Sequence, residues 1–211
     1  MITQKVFPSV MVKSQRELDA MLKNLNGVAK YLHLDVADGK FVPNTSLWFQ
    51  FQLSSKFKYV AHLMAKDPEK WITKYGKRME CCIVQAETVN VADYIKKTKQ
   101  QKQKIAFALN PETKVSSLKK YLKDIDYVLI LTVHPGFYGG NYLKYPLKKI
   151  KEIKTMNPKV KVIVDGGMNL KTVKDAARAG ADYVVSGSFI TKAEKPKERM
   201  KMMERAWKRS N

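Results

Sequence analysis

Eight short apolar runs punctuate this chain, at residues 6–12, 31–36, 59–64, 81–84, 105–109, 127–133, 160–164 and 183–185. Most are continuous rather than alternating, which is how strands read when a parallel sheet is buried on both faces. Between them the period becomes helical. Leu18, Met21, Leu22 and Leu25 recur at i, i+3, i+4 and i+7, as do Val173, Ala176, Ala177 and Gly180. Leu147, Ile150 and Ile153 form another stripe, with Lys148, Lys149, Lys151 and Lys154 expected to face away from it. Met200, Met203 and Trp207 give the last helix its apolar face. Asp67-Pro68-Glu69 and Lys195-Pro196 read as helix starts with proline in the first turn. Residues 46–57 carry the faintest of the expected helices. Eight strands alternating with about eight helices is a parallel α/β layout, satisfied by a closed (β/α)8 barrel or an open doubly wound sheet. No linker, low-complexity block or internal boundary divides residues 1–211, so one domain is expected.

Composition excludes several classes. With 45% hydrophobic and 28% charged residues in a chain of 211, a globular protein with a sizeable core is expected. The longest uninterrupted apolar stretches, Tyr127–Leu131 among them, are far short of the roughly 20 residues of a membrane span. The opening Met1-Ile2-Thr3-Gln4-Lys5 lacks the charged-then-apolar layout of a secretory signal. Cys81 and Cys82 are neighbours, so on a strand they point to opposite faces and suit a reduced, buried segment. A cytoplasmic location follows as the simplest expectation.

Charge adds one qualification. Lys and Arg total 40 against 19 Asp and Glu, a net charge of +21. Such a balance suggests nucleic acid. Yet the excess is mostly Lys and is spread along the whole chain, without the Arg forks that read phosphates and bases. A solvated lysine coat is expected, with no specific nucleic-acid or membrane partner. Its field still draws in small anionic substrates.

The candidate chemistry sits where strands end, because parallel barrels place function at the C-terminal mouth. The second strand ends His33-Leu34-Asp35-Val36-Ala37-Asp38-Gly39, with His33 and Asp35 two apart on one face. The third ends Ala61-His62-Leu63-Met64, and the seventh Val164-Asp165-Gly166-Gly167. His33, Asp35, His62 and Asp165 form a four-ligand set suited to one divalent metal such as Zn²⁺, Fe²⁺, Mn²⁺ or Co²⁺. Glycine-rich turns follow the last three strands: Gly136-Phe137-Tyr138-Gly139-Gly140, Gly166-Gly167 and Ser186-Gly187-Ser188. Such turns bring backbone N–H groups close to an anion, which points to a phosphorylated substrate. His134 reads as a rim residue and not a ligand.

These residues together resemble the ribulose-phosphate 3-epimerase family. The blocks that carry the resemblance are Pro8-Ser9-Val10-Met11, His33 through Asn44, His62-Leu63-Met64, Ala108 through Thr113, Val133 through Gly139, Val164 through Gly167, and Ala179 through Asp182 running into Ser186-Gly187-Ser188. The resemblance implies a (β/α)8 barrel that interconverts D-ribulose 5-phosphate and D-xylulose 5-phosphate. It implies that His33, Asp35, His62 and Asp165 bind one divalent metal. It also implies that Asp35 and Asp165 act as acid and base on opposite faces of C3. By the same resemblance Ser9 and Met64 contact the substrate, while Gly136, Phe137, Tyr138, Gly139, Gly166, Gly167, Gly187 and Ser188 surround its phosphate. A homo-oligomer is implied too. Ala37 and Leu131 stand where the family usually has Met, Tyr138 replaces a glycine, and Gly140 stands where Gln is usual. These departures leave a six-carbon ketose phosphate, such as allulose 6-phosphate, as an alternative substrate. A relative of orotidine-phosphate decarboxylase would need a D-x-K-x-x-D array, which Asp35 through Lys40 does not supply. A non-catalytic basic barrel binding RNA or another polyanion is the alternative that the charge suggests.

Overall fold

A computed structural model describes residues 3–136 and 139–210. Eight parallel strands close into a barrel: β1 (Val6–Val10), β2 (Tyr31–Asp38), β4 (Lys58–Met64), β5 (Met79–Gln85), β6 (Ile105–Leu109), β7 (Tyr127–Leu131), β8 (Lys161–Asp165) and β9 (Tyr183–Ser186). Each pairs with its neighbour in chain order, and β1 closes the ring by pairing with both β2 and β9. A two-residue strand, β3 (Thr45–Ser46), lies antiparallel to the end of β2. Among the described residues seven α-helices accompany the barrel: α1 (Gln15–Leu25), α2 (Glu69–Tyr75), α3 (Val91–Gln100), α4 (Lys148–Met156), α5 (Thr172–Arg178), the short α6 (Ser188–Thr191) and α7 (Pro196–Lys208). The closed barrel is therefore the alternative that the chain adopts.

Two apolar layers hold it together. Alternate strand residues point inward, so Phe7, Val60, Cys81, Ile83, Leu129, Ile163 and Tyr183 fill the barrel interior. The intervening residues, among them Val6, Leu32, Ala61, Cys82, Phe107, Val128 and Val164, pack outward against the helix stripes of Leu18, Ile150, Val173 and Met203. The expected split of the two cysteines holds: Cys81 faces the interior, Cys82 faces the helices, and both are free thiols. Burial raises the Cys82 thiol to about 12, which suits packing and not reactivity.

Two expectations fail. Residues 46–57 are not helical; apart from Ser46 in β3, the segment is irregular. Neighbouring side chains take over its backbone hydrogen bonds. The Trp71 indole N–H donates to the Leu47 carbonyl at 3.0 Å, the Tyr75 hydroxyl donates to Phe49 at 3.1 Å, and Arg78 donates to Leu53 at 2.8 Å. The Phe51 ring stacks on Tyr75 with centroids 4.2 Å apart. Tertiary partners thus replace the intrahelical ones that a sequence pattern presumes. The second failure is Lys149, which is buried instead of facing solvent. Its ammonium donates to the Asn110 carbonyl at 2.6 Å. Burial lowers its pKa, partly offset by Glu87 and Glu112. The link between β6 and β7 carries only 3-10 turns, Val115–Ser117 and Lys119–Asp124.

Candidate functional site

The inward alternation that fills the barrel with apolar groups turns polar at the strand ends. Two residues beyond Phe7 is Ser9; beyond Val60 is His62; beyond Ile83 is Gln85; beyond Ile163 is Asp165; beyond Tyr31 come His33 and Asp35. Strand register sets Ser9 beside His33, and Asp35 beside His62. The mouth therefore carries a polar layer above an apolar plug.

Four of these side chains converge. The ligand atoms of His33, Asp35, His62 and Asp165 all lie within 4.8 Å of one another. His33 Nε2 stands 3.3 Å from Asp35 Oδ1 and 3.8 Å from Asp165 Oδ2. His62 Nδ1 stands 3.8 Å from Asp35 Oδ1 and 3.7 Å from Asp165 Oδ2. His33 and His62 are fully buried, and His33 Nε2, His62 Nδ1 and Asp35 Oδ1 have no hydrogen-bond partner. Buried polar atoms left unpaired cost about 1–3 kcal/mol each. Four donors about 2.1 Å from one tetrahedral ion stand about 3.4 Å apart, close to the spacing found here. The set fits one metal ion, and an ion would satisfy all three orphaned atoms together.

The electrostatics of the protein groups point the same way. Burial alone would raise the Asp35 carboxyl, but His33 and His62 outweigh it and hold the group well below the usual carboxylate range. Burial alone would lower the His62 ring, but the Asp165 and Asp35 carboxylates outweigh it and raise the ring to about 9. The pocket thus favours anionic oxygens and positive charge between them.

The surrounding shell holds the cluster in place. The Thr132 hydroxyl donates toward the Asp165 carbonyl at 2.9 Å and the Gly166 carbonyl at 2.7 Å, fixing the turn that carries Asp165. Gly166 has φ +114°, and a Cβ there would stand 2.6 Å from the Val133 side chain, so glycine is required. Asp38 accepts from the N–H groups of Lys40, Phe41 and Lys66, tying the β2 loop to the end of β4. Asn44 reaches across the mouth and donates to the Gly136 carbonyl at 2.8 Å.

A cavity of about 430 Å³ opens above the cluster. Of the expected site residues it is lined by Ser9, Asp35, His62, Met64, Gly136, Gly139, Asp165, Gly166, Gly167, Gly187 and Ser188. His33 is fully buried and does not line it. Phe137 and Tyr138 lie outside the described residues. His134 does not line the cavity; its ring stands 2.8 Å from Glu112 on the surface, outside the four-donor cluster. Sequence reasoning missed Thr132, Gln85, Tyr142 and Met168. Gln85 had a readable signal: it ends an apolar run on the inward parity of Cys81 and Ile83.

Comparison with known proteins places the chain in a family. The Ribulose-phosphate 3 epimerase family model matches residues 5–191. The chain belongs to the ribulose-phosphate 3-epimerase family. It is 30% identical over 212 residues to the ribulose-phosphate 3-epimerase of Schizosaccharomyces pombe, covering 94% of this chain and 91% of that one. It is 32% identical to the Bacillus subtilis protein of the same name, covering 88% and 91%. The family comprises isomerases acting on carbohydrates. More distant solved structures share the fold alone. The 3-keto-L-gulonate-6-phosphate decarboxylase of Vibrio cholerae superposes with TM-score 0.70 at 9% identity, covering 98% of both chains. KGPDC from Streptococcus mutans gives 0.69 at 12% identity, covering 97% of both. Among the described residues, no helix is long and apolar enough to cross a membrane.

Proposed function

We propose that this chain interconverts D-ribulose 5-phosphate and D-xylulose 5-phosphate, with one Zn²⁺, Fe²⁺, Mn²⁺ or Co²⁺ ion held by His33, Asp35, His62 and Asp165. The observation that carries this reading is the convergence of four buried or half-buried donors, three orphaned atoms among them, beneath a cavity edged by glycine turns. Family membership supports the substrate class.

Inversion at C3 removes a proton from one face of the sugar and returns one to the other. Asp35 and Asp165 project from β2 and β8, strands separated by β1 and β9 around the ring. In this reading one takes the C3 proton as a carboxylate and the other returns a proton as a carboxylic acid; the roles exchange in the reverse direction. A divalent ion in the cluster supplies Lewis-acid stabilisation of the charge that develops on the neighbouring sugar oxygens. Met11, Met64, Leu131 and Met168 present apolar groups to the cavity and help keep water from the carbanionic carbon. Leu131 and these three methionines supply an apolar wall despite Ala37 and Leu131 replacing the family's usual methionines. The turns at Gly136, Gly139, Gly166, Gly167, Gly187 and Ser188 offer the phosphate backbone N–H groups, and Phe137 and Tyr138 belong to the same proposed set. Ser9, buried beside His33, orients the sugar hydroxyls.

The test is proton exchange at C3. The metal-loaded protein, incubated with D-ribulose 5-phosphate in D₂O and followed by NMR, is expected to place deuterium at C3 and form xylulose 5-phosphate, and to stop on chelation. Asp165→Asn is expected to lower kcat at least about 100-fold at saturating metal. Near-normal turnover of that variant with metal bound overturns the two-base assignment. No exchange with any of the four metals overturns the pentulose reading, and exchange confined to allulose 6-phosphate replaces it with the hexulose one.

A further inference from the structure

Gln85 ends β5 completely buried, and its amide faces the one ring nitrogen of His62 that the four-donor cluster leaves over. The amide Nε2 stands 2.9 Å from His62 Nε2, while the amide Oε1 is buried without a partner. On the other side of the ring, His62 Nδ1 is aimed between Asp35 and Asp165. A ring nitrogen that gives its lone pair to a cation carries no proton, so the proton of the neutral imidazole sits on the other nitrogen. Nε2 is then a donor, and a –NH₂ group placed against it leaves two donors facing each other. The two ends of an amide are nearly the same size, and a half-turn about the last side-chain bond exchanges them. That half-turn sets the orphaned Oε1 on the Nε2–H and converts a clash of donors into a hydrogen bond.

We infer that Gln85 is a positioning residue for the metal centre. Its carbonyl oxygen accepts from His62 Nε2–H, selects the tautomer with a free lone pair on Nδ1, and fixes the plane of the ring. This inference rests on the metal reading proposed above. Gln85 is outside the four-donor set and does not line the cavity. Metal-binding histidines commonly rest on such an acceptor, and losing it costs about 10–100-fold in metal affinity. A neutral amide in this role makes the ring less basic than a carboxylate would.

The experiment compares the Zn²⁺ affinity of the full chain with that of Gln85→Leu and Gln85→Glu, by competition with a chromophoric chelator. Long-range ¹H–¹⁵N NMR of the Zn²⁺-loaded proteins reads the His62 tautomer. Gln85→Leu is expected to bind about 10–100-fold more weakly, and Gln85→Glu at least as tightly as the parent. The parent and Gln85→Glu are expected to show a protonated Nε2 and a metal-bound Nδ1. Equal affinity in Gln85→Leu, weak binding in Gln85→Glu, or Zn²⁺ on Nε2 overturns the inference. Circular dichroism without metal checks folding; if Gln85→Leu fails that check, Gln85→Met and the parent NMR carry the comparison. A parent protein that binds none of Zn²⁺, Fe²⁺, Mn²⁺ and Co²⁺ instead overturns the metal reading itself, a result distinct from any of these.

Discussion

At the scale of single residues the site is a balance between two carboxylates and two imidazoles that burial holds in contact. The Asp165 and Asp35 carboxylates raise His62 to about 9 against the cost of burial. A metal entering the cluster must displace the proton this ring holds at neutral pH. Binding at pH 7.5 is therefore expected to release close to one proton, about 1 per ion, and affinity should rise between pH 6 and 9. Calorimetry in buffers of different ionisation enthalpy measures the proton count directly. A binding enthalpy that does not change with the buffer would place the proton elsewhere. Thr132 and Gly166 belong to the same scale: one hydroxyl and one missing Cβ set the turn that aims Asp165.

Elements are tied together by a few polar anchors set into the apolar layers. Asp182, just before β9, accepts from Lys154 on α4, from Lys161 on β8, and from the Val162 N–H at 2.9 Å. Burial opposes ionisation of this carboxyl, but these partners outweigh it and lower its pKa from the usual 3.8. A carboxyl with a depressed folded-state pKa stabilises the fold above its unfolded pKa, and loses that contribution as pH falls through the depressed value. Asp182→Ala is expected to cost about 2 kcal/mol at pH 7, measured by urea unfolding. The gap between variant and parent should narrow below about pH 4. A gap that stays constant down to pH 2.5 would show that the ion pairs contribute nothing. The segment 46–57 illustrates the reverse relation, in which elements impose a local structure. Its backbone follows Trp71, Tyr75 and Arg78, residues 25 or so positions away in sequence, so no local pattern could report its conformation.

For the whole molecule the dominant feature is charge. The net +21 is distributed over a barrel whose cavity holds two carboxylates on its floor. Many lysines pair on the surface, such as Lys58 with Glu80 at 2.8 Å and Lys99 with Asp124 at 2.7 Å; exposed pairs of this kind add little to stability. The excess instead creates a field that attracts a phosphorylated sugar. Raising ionic strength from about 0.01 to 0.5 M is expected to lower kcat/KM by about three- to tenfold through screening. The kcat should be unchanged, since screening acts on the encounter and not on groups buried at the strand ends. Stopped-flow and steady-state kinetics at several salt concentrations check both halves, and a salt-independent kcat/KM would rule out steering.

The order of the eight barrel strands and most of the helices, the candidate ligands and the family were legible in the residues. Strand burial and helix periodicity are local properties, and His33, Asp35, His62 and Asp165 interrupt or end apolar runs where few polar residues belong. Closure of the sheet was legible only through the family resemblance, because an open sheet and a barrel bury the same local pattern; the pairing of β1 with both β2 and β9 shows the barrel. Lys149 carries the same ambiguity at a smaller scale. Helical phase turned it from the apolar stripe, but the distant Asn110 carbonyl gave its ammonium a buried partner. The sequence specified which chemical groups reach the mouth of the barrel. Contacts between residues far apart in the chain decided how those groups meet, because burial and hydrogen-bond satisfaction are properties of the assembled fold.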